Sequence, residues 1–227
     1  MAALVTKSLT DELSLRLEDP KETKFPVASK IKFLNRAQIR LCNMLHPAYL
    51  TELEGATSTS QTYNTHGFSL TSPALNGNLG LLLSGRGVRR VKFYKNGTGN
   101  GVWATELSLD ELKKVTNQFL LADDESPRYY IFKNNIFLLV TTYTSAKVDV
   151  HFIKQPTLMV ADTTDPVINA SLFPILTTLA EAMLWGMRGQ LEKRNSAMKF
   201  AFDEIQTLNA RYEPAEGVGT KGREERR

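Results

Sequence analysis

The chain holds 3 histidines, 1 cysteine and 24 acidic residues, the raw material for catalysis or metal binding. Their spacing supports neither. His46, His66 and His151 lie far apart, without the close steps by which metal motifs bring ligands together. Cys42 has no second cysteine to pair with, so a disulfide framework and a Cys-based metal site are both excluded. Asp123-Asp124-Glu125, just before Ser126-Pro127, reads as a solvated acidic loop rather than a calcium site. Gly85-Arg86-Gly87 and Gly97-Thr98-Gly99-Asn100-Gly101 are rich in glycine, but neither is a strand-to-helix turn followed by a lysine. They read as β-turns, not phosphate cradles. Ser84 stands in no nucleophile-elbow pattern. The densest basic run is Arg86, Arg89, Arg90 and Lys92, with Phe93 and Tyr94 alongside. It is a solvated strand face or a contact for an acidic partner or DNA. The expectation is a protein without catalytic residues, metal or cofactor.

The 227 residues suffice for one large domain or two small ones. Hydrophobic residues make up 42% and charged residues 23%, ordinary for a globular protein. The net charge of +4 arises from 28 basic against 24 acidic residues, scattered along the chain. That balance does not mark a dedicated nucleic-acid binder. No run approaches a membrane span, so the expectation is a soluble protein made in a reducing compartment, without a membrane partner.

The elements follow from periodicity. Leu172, Leu176, Leu179, Met183, Met187 and Leu191, then Met198, Ala201, Ile205 and Leu208, recur in steps of three and four. This is the stripe of an amphipathic helix that needs a partner. Gly186 and Gly189 weaken its middle, which predicts two helices, about 172–188 and 196–211, or one long kinked helix. A matching stripe, Val27, Ile31, Leu34, Leu41 and Leu45, predicts a helix over about 26–46, with Gln38 on the same face. A short helix is predicted over 8–18, ended by Asp19-Pro20.

Residues 54–66 are polar and aperiodic, and read as a loop, at most with a ragged strand. From Gly67 the texture turns to strands: 68–70, 79–83, 88–94, 102–106, 128–132, 136–140 and 147–153. Asn96 to Gly101 and Lys133-Asn134-Asn135 connect two hairpins. Ser108 and Glu111 form a capping box that opens a helix over 109–117. Helices, then strands, then helices make an α+β fold. Residues 1–66 and 155–212 are expected to form one helical bundle, residues 67–154 an inserted antiparallel β domain, and 213–227 a flexible tail.

The second half of the chain resembles the head–tail adaptor proteins of tailed bacteriophages, also called neck or head-completion connectors. Four stretches carry the resemblance in order. A hairpin ending at Trp103 precedes Leu107-Ser108-Leu109-Asp110-Glu111-Leu112. Ser126-Pro127-Arg128-Tyr129-Tyr130-Ile131-Phe132 is followed by Asn135-Ile136-Phe137-Leu138. The strand Val148 to Ile153 runs into Lys154-Gln155-Pro156, and an acidic loop, Asp162 to Asp165, enters Leu172. The segment Phe33-Leu34-Asn35-Arg36-Ala37-Gln38 is similar to the family's first core helix. The resemblance spans about residues 10–212. It departs from the family where Leu138-Leu139-Val140 replaces a proline-bearing strand, and at the glycine pair Gly186 and Gly189.

The resemblance implies a non-enzymatic structural virion protein, made in the host cytoplasm and placed in the neck between capsid and tail. Copies would form a ring, a dodecamer if it matches a twelve-fold portal. The ring would bind the portal protein, extend the channel for packaged DNA without sequence specificity, and receive the next neck or tail component. Arg86, Arg89, Arg90, Phe93, Tyr94 and Trp103 are the candidate subunit or tail interface. Lys221, Arg223, Arg226 and Arg227, in a tail too poor in apolar residues to order itself, are the candidate portal-docking arm. The alternatives are a tail, baseplate or tail-terminator component and, further off, a DNA-binding protein.

Overall fold

The computed structural model describes residues 5–56, 61–62, 67–70, 87–97, 99–114, 121–133, 135–142, 146–161 and 164–212. Helices α1 (Val5–Arg16) and α2 (Val27–Met44) come first. Among the described residues the strands that follow are β1 (Glu54–Ala56), β2 (Gln61–Thr62), β3 (Phe68–Ser69), β4 (Val88–Tyr94), β5 (Val102–Glu106), β6 (Arg128–Phe132), β7 (Asn135–Leu139) and β8 (Lys147–Ile153). The short α3 (Leu109–Lys114) lies between β5 and β6, and α4 (Phe173–Met187) and α5 (Leu191–Ala210) close the described chain. The α+β class holds.

The helical elements share one apolar core. Leu13 of α1, Leu34 and Leu41 of α2 and Leu176 and Leu179 of α4 are each 0% exposed, and Ala201 and Ile205 of α5 join them. Ala170–Met187 is long and apolar enough to cross a membrane, but half of it is buried inside the molecule, where it serves as the central helix. α4 and α5 are separate, as the glycines suggested. The break comes at Gly189, in the left-handed region at φ 72°, so α5 starts at Leu191 rather than at Ser196. Gln38 lies on the apolar face of α2 as its position predicts. It is buried, and among the described residues neither amide atom has a hydrogen-bond partner. Lys30 is fully buried too, but its ammonium pairs with Glu22 at 2.8 Å and donates to Ser14 Oγ.

The strands form a sheet in the order β1-β8-β4-β5-β6-β7-β3, with β2 also paired to β8. Val91, Phe93, Val148, Val150, Phe152 and Ile136 build its own core. The two cores meet along β8, whose Ile153 belongs to the helical cluster and Phe152 to the sheet cluster.

Two expectations about the strands change. The polar stretch after Glu54 contains β1 and β2, which pair antiparallel with β8. A polar strand shows no apolar alternation when its partner supplies the ladder, so periodicity overlooked it. The sheet is not wholly antiparallel either, because β5 and β6 run parallel at Thr105↔Arg128 and Glu106↔Tyr129. The connection between them, residues 107–127, includes α3 and is long enough for the crossover that a parallel pair needs. The strand expected over 79–83 lies outside the described residues.

Candidate interaction surfaces

One face of the sheet is buried and the other collects basic and aromatic side chains. Along β4, Val91 and Phe93 point inward, while Arg90, Lys92 and Tyr94 alternate with them on the outer face. The register sets their neighbours: Arg90 lies opposite His151, Lys92 opposite both Asp149 and Trp103, and Tyr94 opposite Lys147. Trp103 is 46% exposed, and its ring and that of His151 meet in a T-shaped contact with centres 5.2 Å apart. The guanidinium of Arg90 lies 5.9 Å and the ammonium of Lys92 5.5 Å from the Trp103 ring centre, both within cation–π range. Lys92 is also 5.3 Å from the Tyr94 ring, and the Tyr94 hydroxyl donates to Asp149 at 2.8 Å.

A bulge alters the start of β4. Val88 pairs with Phe152 and Arg90 with His151, so Arg89 has no opposite residue and both arginines stand exposed. Arg89 reaches Glu54 at 3.8 Å. Arg89, Arg90, His151, Glu54, Gly55 and Phe152 line a cleft of about 360 Å³ at this point.

Of the expected interface residues, the structure brings Arg89, Arg90, Tyr94 and Trp103 together on this surface. Phe93 is withdrawn from the set. It is 1% exposed in the sheet core, because the alternation that exposes Lys92 and Tyr94 turns Phe93 inward. Arg86, and the whole tail with Lys221, Arg223, Arg226 and Arg227, lie outside the described residues. The sequence had not pointed to His151 or Lys147. Their period-two strand was legible, but which strand lies beside them was not.

The acidic triplet has a structural role. Asp124 is buried and accepts from the backbone and hydroxyl groups of Thr141 and Thr142 at 2.7–3.2 Å, and Lys95 approaches at 3.1 Å. Burial opposes its ionisation, but the bonds from the two threonines outweigh that and hold its carboxyl well below the usual range. The helical side has exposed apolar groups of its own. Asn35 clasps the backbone of Met159 through two hydrogen bonds of 2.8 Å, leaving Met159 buried but Leu158 and Val160 at 51% and 85% exposure. On α5, Phe200 is 56% exposed beside the α4–α5 groove.

Among the described residues, no three His, Cys, Asp or Glu side chains gather as metal ligands. The exposed groups are cationic and aromatic on the sheet face, with Leu158, Val160 and Phe200 exposed elsewhere. The chain belongs to the SU10 adaptor protein family, whose model matches residues 6–218. That is a family of phage head–tail type, as the resemblance implied, and the chain is a structural adaptor of a bacteriophage virion. No curated protein matches the chain.

Proposed function

We propose that the chain is the repeating subunit of a neck ring that joins the portal to the tail and extends the DNA channel. In this reading the four long helices act as one bundle and the sheet as a domain inserted into it. The pairing of β1 and β2 with β8 supports counting the segment from Glu54 with the sheet. The observation that carries the reading is the pinned, outward display of Leu158 and Val160, together with Phe200 on the helical side. Apolar side chains held out by a rigid clasp favour burial against another copy or another virion protein. A dodecamer matches a twelve-fold portal.

The residues beyond Tyr212 then serve as the portal-docking arm through Lys221, Arg223, Arg226 and Arg227. Tyr212 is a firm point of departure: its ring stacks on His46 at 4.7 Å and meets Tyr49 edge-on at 5.2 Å. Size-exclusion chromatography with light scattering, on the chain alone and with isolated portal rings, tests the ring. Truncation after Tyr212, with portal binding measured at two salt concentrations, tests the arm. The full chain is expected to bind more weakly at high salt, and the truncated chain to lose binding while keeping its helical signal. A truncated chain with unchanged affinity at both salts would reduce the tail to a solubilising segment.

A further inference from the structure

The outer sheet face is better built for a polyanion than for a subunit interface. Among the described residues, Arg89, Arg90, Lys92 and Lys147 share it with only Glu54 and Asp149 as acids, and His151 stands among them. Of these cations only Arg89 is in an ion pair, the loose 3.8 Å contact with Glu54, among the described residues. Asp149 is already occupied by the Tyr94 hydroxyl. Arg90 and Lys92 rest instead on the Trp103 ring, which orders their side chains without neutralising them. The bulge adds Arg89 to the row by exposing two successive arginines, at the mouth of the cleft they share with His151.

Two features select among anionic partners. Arg90 and Lys92 are alternate residues of one strand, so two cations rise side by side from the same face, and among the described residues neither is in an ion pair. A protein interface, by contrast, centres on an aromatic anchor in a desolvated pocket, whereas the Trp103 ring stands 46% exposed with two cations already at its surface. Among the described residues these cations stand on a broad sheet rather than on a helix or two-stranded ribbon that fits a groove, so the contact is to backbone and not to base edges. We propose that Arg90 and Lys92, with Arg89 and His151 at the bulge, form a contact for the phosphate backbone of duplex DNA that is blind to sequence. It rests on the ring reading only for its setting, the passage of DNA past the adaptor.

The test uses the full chain and a labelled random-sequence duplex of about 30 base pairs, with anisotropy followed across a salt series. Wild type is expected to bind, and to weaken linearly in a plot of log affinity against log salt. Arg90→Gln with Lys92→Gln removes two phosphate contacts and should make that slope shallower by about 1.8, for any duplex sequence. Lys113→Gln with Lys114→Gln removes the same charge from α3 and should leave the slope unchanged. Equal slopes in the two double variants, or no wild-type binding at the lowest salt, would overturn the proposal. So would tighter binding of a labelled poly-glutamate peptide than of the duplex, which would assign the face to an acidic protein. Light scattering on the same variants separates this proposal from the ring. Arg90→Gln with Lys92→Gln should assemble as wild type does, and a joint loss of assembly and DNA binding would make the face a subunit interface. If wild type forms no ring, the slopes still decide the DNA contact.

Discussion

Asn209, near the end of α5, closes the C-terminal end of α2. Its amide donates to Met44 O at 2.8 Å and its oxygen accepts from His46 N at 2.7 Å. The last carbonyls and the following N–H of a helix need such partners, and here they come from more than 160 residues further along the chain. Asn209→Leu removes both bonds and should cost about 1–3 kcal/mol. In urea titrations the midpoint is expected to fall at constant slope. A midpoint equal to that of wild type would show that water replaces the clamp.

The shared helical core predicts a matched pair of effects at distant positions. Leu34 and Leu179 are both fully buried. Alanine at either site should cost about 2–5 kcal/mol, the usual range for a cavity left by leucine. Aspartate at either site buries a charge without a partner and should abolish cooperative unfolding. Circular dichroism melts check both, and wild-type melting of either aspartate variant would refute the pairing of the two ends.

Asp124 makes the sheet end sensitive to acid. Its folded-state pKa lies below the unfolded value, so its contribution is present above about pH 4 and fades as pH falls through the folded value. Asp124→Asn should lower stability at pH 7 by about 2 kcal/mol, because charged hydrogen bonds to both threonines are lost. It should also lose less than wild type between pH 5 and pH 2. Parallel acid limbs in thermal melts would assign the acid sensitivity elsewhere, Asp19 being the next candidate. Asp19 accepts from the backbone N–H groups of Thr23, Lys24 and Phe25 at 2.7–3.0 Å.

Cys42 offers a probe of the helical core. It is 4% exposed, and burial pushes its thiol up to about 12. A thiol-specific reagent at pH 8 should therefore react with unfolded chain at once and with native chain only through opening of the core. Stoichiometric labelling of native protein within seconds would mean that α2 is not packed as described.

Much of the helical half was legible without coordinates. The stripes on α2, α4 and α5 mark a period that only a buried helical face explains, and Gly189 marks the break that the left-handed turn requires. The Ser108–Glu111 capping box was equally local, and both of its reciprocal bonds form, at 2.9 and 3.2 Å. Such signals survive in sequence because each depends on residues three or four apart. The tertiary structure alone decided which strands lie side by side. β1 and β2 show no pattern of their own and become strands because β8 offers an open ladder. The parallel step from β5 to β6 rests on the long connection that includes α3, not on anything written in either strand. The surface was decided in the same way. Arg90, Lys92 and Trp103 form a patch because cross-strand register places them together, and Phe93 leaves it because a strand turns each successive side chain to the opposite face.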